Sequence, residues 1–393
     1  MIINSNVVNI PPPPLVELTG NIKKLRSQGK HVIDLSQAMV NFPQPQGFRE
    51  GVIKAMESGA SEAYAPDQGL LELRVKLADY LSFAFGVTWD PEDELMITAG
   101  ANQAAFLAMT CVFSPGDRVL LFSPYYFNHH MALSMLGTVP ETVQGKPEKG
   151  FVPRPNDLAD IIDSRTRGIV IVNPNNPTGA RYRNSLSKDL CSLTAEKDLF
   201  LVSDQTYHEI YFGLDAPLSP ASDSSCRNRT ATVGSFSKSL GLAGWRIGFL
   251  AGPSPLIREA LKVQDTSIIC APTASQLGLL AALDKAPKHV EQVRKALKAR
   301  RDSLMESLFD SGYGDYFSEP GGAVFLFFKL PKGMDDISSS RQLLESKLVA
   351  VVPGSVFGPG GKGYWRISFG TAYKEDLVEA GKRIAEYLKE NQN

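Results

Sequence analysis

Between residues 94 and 252, short apolar runs alternate with helix-like stretches, and polar residues follow most of the runs. ELMITAG (94–100) reads as a strand, ANQAAFLAMTCVF (101–113) as the helix leaving it, and PGDRVLLFSP (115–124) as a turn, a strand and a stop. MALSMLG fits a helix, TVPETV the next strand, and NDLADIIDS, after Pro155, a short helix. TRGIVIVNPNNPTG (166–179) is a buried strand running into an Asn/Pro/Gly loop. LSKDLCSLTAEKDL is a further helix, and FLVSDQTY (200–207), TATVGSFSK (230–238) and RIGFLAG (246–252) supply three more strands. Such alternation specifies an α/β fold with a mainly parallel central sheet. In that architecture, ligands bind beyond the carboxyl ends of the strands.

Upstream, HVIDLSQ (31–37) reads as a short strand and 47–57 as a helix. In 69–86, Leu70, Leu73, Leu77, Tyr80 and Leu81 recur at helical spacing, and Gly86 can close the helix. The regular alternation ends near 285. VEQVRKALKARRDSLMESL is a long amphipathic helix with Val290, Val293, Leu297, Leu304 and Leu308 on one face. Then come AVFLFFKL (323–330), a short helix around 338–348, VAVVPG, YWRISFG (364–370) and a terminal helix from about Lys374. This pattern predicts a large domain at 46–284 and a smaller α+β domain at 285–393. An N-terminal segment, 1–45, returns to join the small domain and cover the site. Pro11 to Pro14 should form an extended polyproline piece.

The charge balance, 41 Lys+Arg against 42 Asp+Glu, gives no global reason to expect nucleic acid or an acidic membrane as partner. The basic run from Lys288 to Arg301 has no aromatic platform beside it and reads as a solvated helix face. Cys111, Cys191, Cys226 and Cys270 are far apart and form no CxxC pair, so they read as reduced thiols. No stretch reaches the roughly 18 uninterrupted apolar residues of a spanning helix, and the N-terminus does not read as a secretory signal. The cytoplasm is therefore the expected compartment. Gly358-Pro-Gly-Gly-Lys-Gly363 matches G-x-G-x-x-G but precedes a strand, and is expected to be a flexible surface loop. His129 and His130 are adjacent and lack an HExxH context, so no metal is expected.

The chemistry concentrates in Ser235-Phe-Ser237-Lys238-Ser-Leu-Gly241-Leu-Ala-Gly244-Trp-Arg246, where a lysine just past a buried strand sits between small hydroxyl residues and a glycine-rich run. With it go Asn173-Pro-Asn-Asn176-Pro-Thr-Gly179, Asp204-x-x-Tyr207, Gly100-Ala-Asn-Gln-Ala104, Tyr64 with Gly69 and Arg74, Pro320-Gly-Gly322 and Arg366. In order and spacing this set resembles the class I/II aminotransferases, the fold type I family of pyridoxal 5'-phosphate (PLP) enzymes, over about residues 31–390.

The resemblance implies that Lys238 carries PLP as a Schiff base and then serves as general base and acid, which calls for an amine poised near neutral pH. It implies that Asp204 pairs with the pyridine nitrogen, keeping the ring an electron sink. Asn176 and Tyr207 match the hydrogen-bond partners of the cofactor's phenolic oxygen, and Tyr126 the aromatic residue stacked on its ring. Gly100, Ala101 and Asn102 lie where a strand gives way to a helix, so free N–H groups and the helix dipole can hold a phosphate. Ser235 and Arg246 match the side chains that complete this cradle. Tyr64 is expected to reach it from the partner subunit of a homodimer.

Arg366 matches the anchor of the substrate α-carboxylate, a role suited to a planar guanidinium fork. Ala38 stands where the family usually has a substrate-facing glycine. The implied reaction is ping-pong transamination between an L-amino acid and a 2-oxo acid. Ile10, Val40, Phe42 and Tyr64, expected near the entrance, favour an aromatic or methionine-like donor, as does the likeness of YYFNHHMAL (125–133) to an aromatic and methionine branch. An aspartate/glutamate-type aminotransferase and a cysteine-conjugate β-lyase are the alternatives on the same scaffold.

Overall fold

The computed structural model describes residues 3–213 and 215–392. Among these residues twelve strands run in chain order: β1 (Ile33–Asp34), β2 (Leu95–Thr98), β3 (Arg118–Ser123), β4 (Val139–Gln144), β5 (Thr166–Val172), β6 (Phe200–Asp204), β7 (Thr230–Ser235), β8 (Gly248–Ala251), β9 (Phe325–Lys329), β10 (Val349–Ala350), β11 (Val352–Pro353) and β12 (Tyr364–Ser368). Seven of them form one sheet in the order β2-β8-β7-β6-β5-β3-β4. From β7 to β4 every pairing is parallel, whereas β8 runs antiparallel to both β7 and β2. Except in the edge strand β4, the apolar runs that marked these strands are buried along nearly their whole length, as a sheet covered by helices on both faces requires.

The reversed strand matters for the site. The carboxyl ends of β2, β3, β5, β6 and β7 all reach one edge of the sheet, and β8, running backwards, begins there. Residues just before β8 therefore meet residues just after the other strands. The helix Leu71–Phe85 buries Leu73, Leu77, Tyr80 and Leu81, and Gly86 ends it at φ 69°. Helices Ser254–Ile268 and Thr273–Ala282 fill a region that the pattern reading leaves unassigned.

Beyond them the helix Ala286–Asp310 packs on the terminal helix Lys374–Asn391 and on the antiparallel sheet β11-β12-β9. Phe325, Leu326, Phe328, Trp365 and Ile367 from this sheet share a core with Leu297, Leu304 and Leu308 of the long helix. Burying each such side chain contributes about 1.5–3 kcal/mol. Residues of the N-terminal segment enter the same core. β1 pairs in parallel with β10, Ile33 facing Val349, and Leu35 and Val40 pack beside Val324 and Phe369.

The sequence pattern leaves one segment unassigned, and two expectations need correction. The N-terminal segment holds a helix, Val16–Ser27, immediately after the prolines; Leu18, Ile22 and Leu25 pack on Val32 and Leu344. The glycine run 358–363 is no free loop. It includes a short 3-10 turn, Pro359–Gly361, the Gly360 N–H donates to Ser123 Oγ at 2.9 Å, and a side chain on Gly361 would overlap the Gly354 backbone. Finally, the basic run ends in two buried arginines, Arg300 and Arg301, not in a solvated face. Arg301 pairs with Asp302 and Glu319, while Arg300 stacks on aromatic rings.

Candidate active site

A cavity of about 130 Å³ lies at the convergent edge of the large sheet. Ala101 and Asn102 line it from the helix after β2, Tyr126 from beyond β3, and Val172 and Asn176 from the end of β5 and its loop. Asp204, Thr206 and Tyr207 come from the end of β6, Ser235, Ser237 and Lys238 from the end of β7, Arg246 from ahead of β8, and Ala38 from the N-terminal segment. Topology thus assembles residues that stand up to 208 positions apart in sequence, from Ala38 to Arg246.

β7 ends at Ser235, whose hydroxyl accepts the Ser237 N–H at 3.1 Å and caps the short helix Phe236–Ser239. That cap fixes Lys238, whose Nζ donates to the Ala38 carbonyl. Burial lowers the lysine's pKa to about 8, aided by the positive charges of Arg366 and Arg246 and opposed by Asp204. An amine near neutrality follows from these surroundings.

Asp204 is 4% exposed, and its Oδ2 lies 2.8 Å from Nε2 of His129, itself 2% exposed. Its other oxygen, Oδ1, accepts the Thr206 N–H at 2.9 Å. Sequence reading passed over His129, although a signal was present. Tyr126 and His129 are three residues apart at the start of the helix Phe127–Met135, so both face the site, their rings edge-to-face at 5.2 Å. The Tyr126 hydroxyl donates to Asn102 Oδ1 at 3.3 Å and accepts from Asn128 Nδ2 at 2.8 Å. Burial raises the pKa values of Tyr126 and Tyr207.

Gly100 does not line the cavity but makes its floor possible. A Cβ there would come within 2.7 Å of Arg246 Nη2, and φ at Gly100 is 87°. Arg246 itself sits at φ 49° and donates to Ala243 O (2.9 Å) and Ala99 O (3.0 Å). A left-handed arginine beside a left-handed glycine is the kind of backbone strain found at ligand clamps.

Arg366, on β12, is 1% exposed and has the Phe325 and Phe357 rings at 4.6 and 4.8 Å from its guanidinium carbon. It donates to Asn176 Oδ1 at 3.0 Å and to the Ser36 carbonyl at 2.7 Å, while Nε has no partner among the described residues. Burial lowers its pKa to about 10, and Tyr207 and Tyr126 oppose the shift. Tyr64 lies away from this cavity, 78% exposed on the surface of its own chain.

The donor set fits PLP. A helix N-terminus with Ser235 and Arg246 suits the phosphate, buried Asp204 the ring nitrogen, Tyr126 the ring face and Lys238 the aldehyde carbon. No comparable fit exists for a metal: among the described residues, no group of three or more His, Cys, Asp or Glu side chains is placed to hold an ion. The seven-stranded sheet, the smaller sheet domain and this cavity define a fold type I PLP-dependent transferase.

The chain belongs to the family "aminotransferase class I and II", whose pattern matches residues 30–384. It is an aminotransferase, acting through PLP on amino acid and 2-oxo acid pairs. Over 98% of both chains it is 35% identical to a probable aspartate/prephenate aminotransferase of Aquifex aeolicus. Its fold superposes with a TM-score of 0.91 on the aspartate aminotransferase of Thermus thermophilus with maleate, at 32% identity over 99% of this chain and 100% of that one. The aromatic aminotransferase of Pyrococcus horikoshii gives a TM-score of 0.88 at 33% identity, covering 94% of this chain and 99% of the other.

Proposed function

We propose that this aminotransferase takes an uncharged amino acid, aromatic or methionine-like, as donor, with Lys238 as the proton-transferring residue. Charge accounting in the cavity carries the reading. Its lining cations are Lys238 and Arg246, with Arg366 at its edge. Lys238 is needed for proton transfer, Arg246 for the cofactor phosphate and Arg366 for the α-carboxylate. Among the described residues of this chain, no lining cation remains for a second carboxylate, and Asn102 is neutral. Burying an unpaired carboxylate would cost several kcal/mol, whereas an apolar side chain meets Ala38, Tyr126 and Val172.

When bound, PLP supplies an electron sink for the amino acid's α-carbon. Each protein group then has a distinct task. Arg366, wedged between two phenylalanines, orients the substrate through its carboxylate, and Asn176 holds the guanidinium in turn. Lys238 Nζ takes the α-proton and later returns it. With a pKa of about 8, roughly one amine in ten is already neutral at pH 7. Asp204 keeps a proton on the ring nitrogen, and His129 fixes that carboxylate. Tyr207 and Asn176 bind the phenolic oxygen, Tyr126 holds the ring face, and Ala101, Asn102, Ser235 and Arg246 cradle the phosphate, with Gly100 leaving room for the Arg246 guanidinium behind them.

Two larger features belong to the same reading. The working unit is a homodimer in which Tyr64 serves the partner's site; its exposed ring and the exposed Ile53, Met56, Leu71 and Val75 support this. Division into a large domain (46–284), a small domain (285–393) and an N-terminal segment (1–45) is supported by three sheets: the seven-stranded one lies in the first range, β11-β12-β9 in the second, and β1-β10 joins the segment to the small domain. A cytoplasmic setting accords with four free thiols; no described helix is long and apolar enough to cross a membrane.

The visible absorption of the cofactor-loaded protein, recorded with phenylalanine, tyrosine, methionine, aspartate and glutamate in turn, tests the assignment. Conversion by the first three, with the oxo acid recovered, is the expected result. Conversion by aspartate and glutamate alone would move it to the acidic class. Release of ammonia with pyruvate from a cysteine conjugate would make it a β-lyase.

A further inference from the structure

Arg300 is an anomaly in the small domain. It is 9% exposed, and among the described residues it forms no ion pair. A buried guanidinium without a carboxylate carries a desolvation cost that some other contact must offset, and burial lowers its pKa. Its contacts are instead aromatic and backbone groups. The guanidinium carbon lies 4.4 Å from the centre of the Phe42 ring and 5.7 Å from that of Tyr373, and Nη1 donates to the Gly370 carbonyl at 2.6 Å. Phe42, expected from sequence at the entrance, therefore packs on the long helix.

These partners flank the substrate-facing parts of the site. Phe42 lies four residues beyond Ala38, and Gly370 four beyond Arg366. The two segments run together. Ser368 N–H donates to Leu35 O at 2.8 Å, Asn41 Nδ2 donates to Thr371 O at 2.7 Å, and any side chain on Gly370 would overlap the Met39 carbonyl. Segment 36–42 is also held from inside, by Arg366 on the Ser36 carbonyl and by Lys238 on the Ala38 carbonyl. Those inner ties are made by groups that the reaction employs. Once Lys238 is engaged by the cofactor and Arg366 by a carboxylate, the inner hold weakens, and the outer hold stays.

We infer that Arg300 is a positioning residue that keeps the Ala38 turn against the Arg366 strand while the inner ties are in use, and so sets the affinity for the amino acid. This rests on the roles given above to Lys238 and Arg366.

The test is steady-state kinetics of the PLP-loaded enzyme carrying Arg300→Met, Arg300→Lys or Phe42→Leu. Arg300→Met should raise KM for the amino acid about thirtyfold, the scale of one desolvated cation–π contact, and leave kcat within about threefold. The cofactor's absorption and its dissociation constant should not move. Arg300→Lys, retaining a cation and a donor, should recover most of the KM. If Arg300→Met does not fold, Phe42→Leu decides, since it removes the ring and leaves the arginine in place; it should raise KM in the same direction. An unchanged KM in the folded variants would overturn the inference, as would parallel losses of kcat, cofactor affinity and melting temperature, which would mark a purely structural arginine. Failure of the underlying reading looks different, because the unmodified enzyme would then not convert the amino acid.

Discussion

The carboxylate of Asp204 and the imidazole of His129 meet at 2.8 Å inside a site where both are almost wholly buried. A hydrogen bond to a charged, desolvated group is worth about 1.5–3 kcal/mol. His129→Ala should therefore lower kcat/KM roughly ten- to a hundredfold, with weaker cofactor binding and a shifted absorption spectrum. Steady-state kinetics and cofactor titration of the same sample check it. Wild-type values on both counts would show that Asp204 does not need this partner.

Arg366 makes a second, sharper prediction. Its two side-chain hydrogen bonds and the flanking Phe325 and Phe357 rings place a planar fork that a lysine cannot reproduce. Arg366→Lys should raise KM for the amino acid about a hundredfold, because a carboxylate loses its bidentate partner in a desolvated pocket. Cofactor affinity should change far less. Loss of both together would assign the arginine to the cofactor instead.

What the sequence made legible was local. Lys238, Asp204, Asn176 and Gly100 each lie within four residues of a strand end, where the α/β pattern itself says ligands bind. Partnerships across the chain were not legible. His129 is 75 residues from Asp204, and only the sheet order brings them together. Arg300 sits at the end of a basic helical run, and period alone cannot say which turn of a helix packs beneath the loops that carry Phe42, Gly370 and Tyr373. The helix Val16–Ser27 was hidden for another reason: four prolines just before it suggested extended chain, yet Leu18, Ile22 and Leu25 have helical spacing.

The lysine's environment gives a pH prediction. Burial first, then Arg366 and Arg246, lower its pKa to about 8, so the neutral amine predominates above that pH and the cation below it. Only the neutral amine attacks an aldehyde. Uptake of PLP by the cofactor-free protein, followed by absorbance, should rise with pH and level off above about 8, well below the 10.4 of a solvated lysine. Arg366→Met, which deletes the neighbouring cation with the greater effect on Lys238, should move the midpoint upward. A midpoint near 10 in the unmodified protein would mean the amine is solvated.

Tyr64 is 78% exposed on its own chain, and the homodimer reading requires the partner to use it. Complementation separates this from a role in folding. Tyr64→Ala and Lys238→Ala should each yield a poorly active homodimer. In a mixed dimer both lesions fall in one site, and the other site combines an intact lysine from one subunit with an intact tyrosine from its partner. Random assembly makes half the dimers mixed, each with one sound site of two, so co-expression should restore about one quarter of wild-type activity. Purification through two different affinity tags should raise this to about one half. Activity that stays at the level of the parent variants would place Tyr64 outside the partner's site.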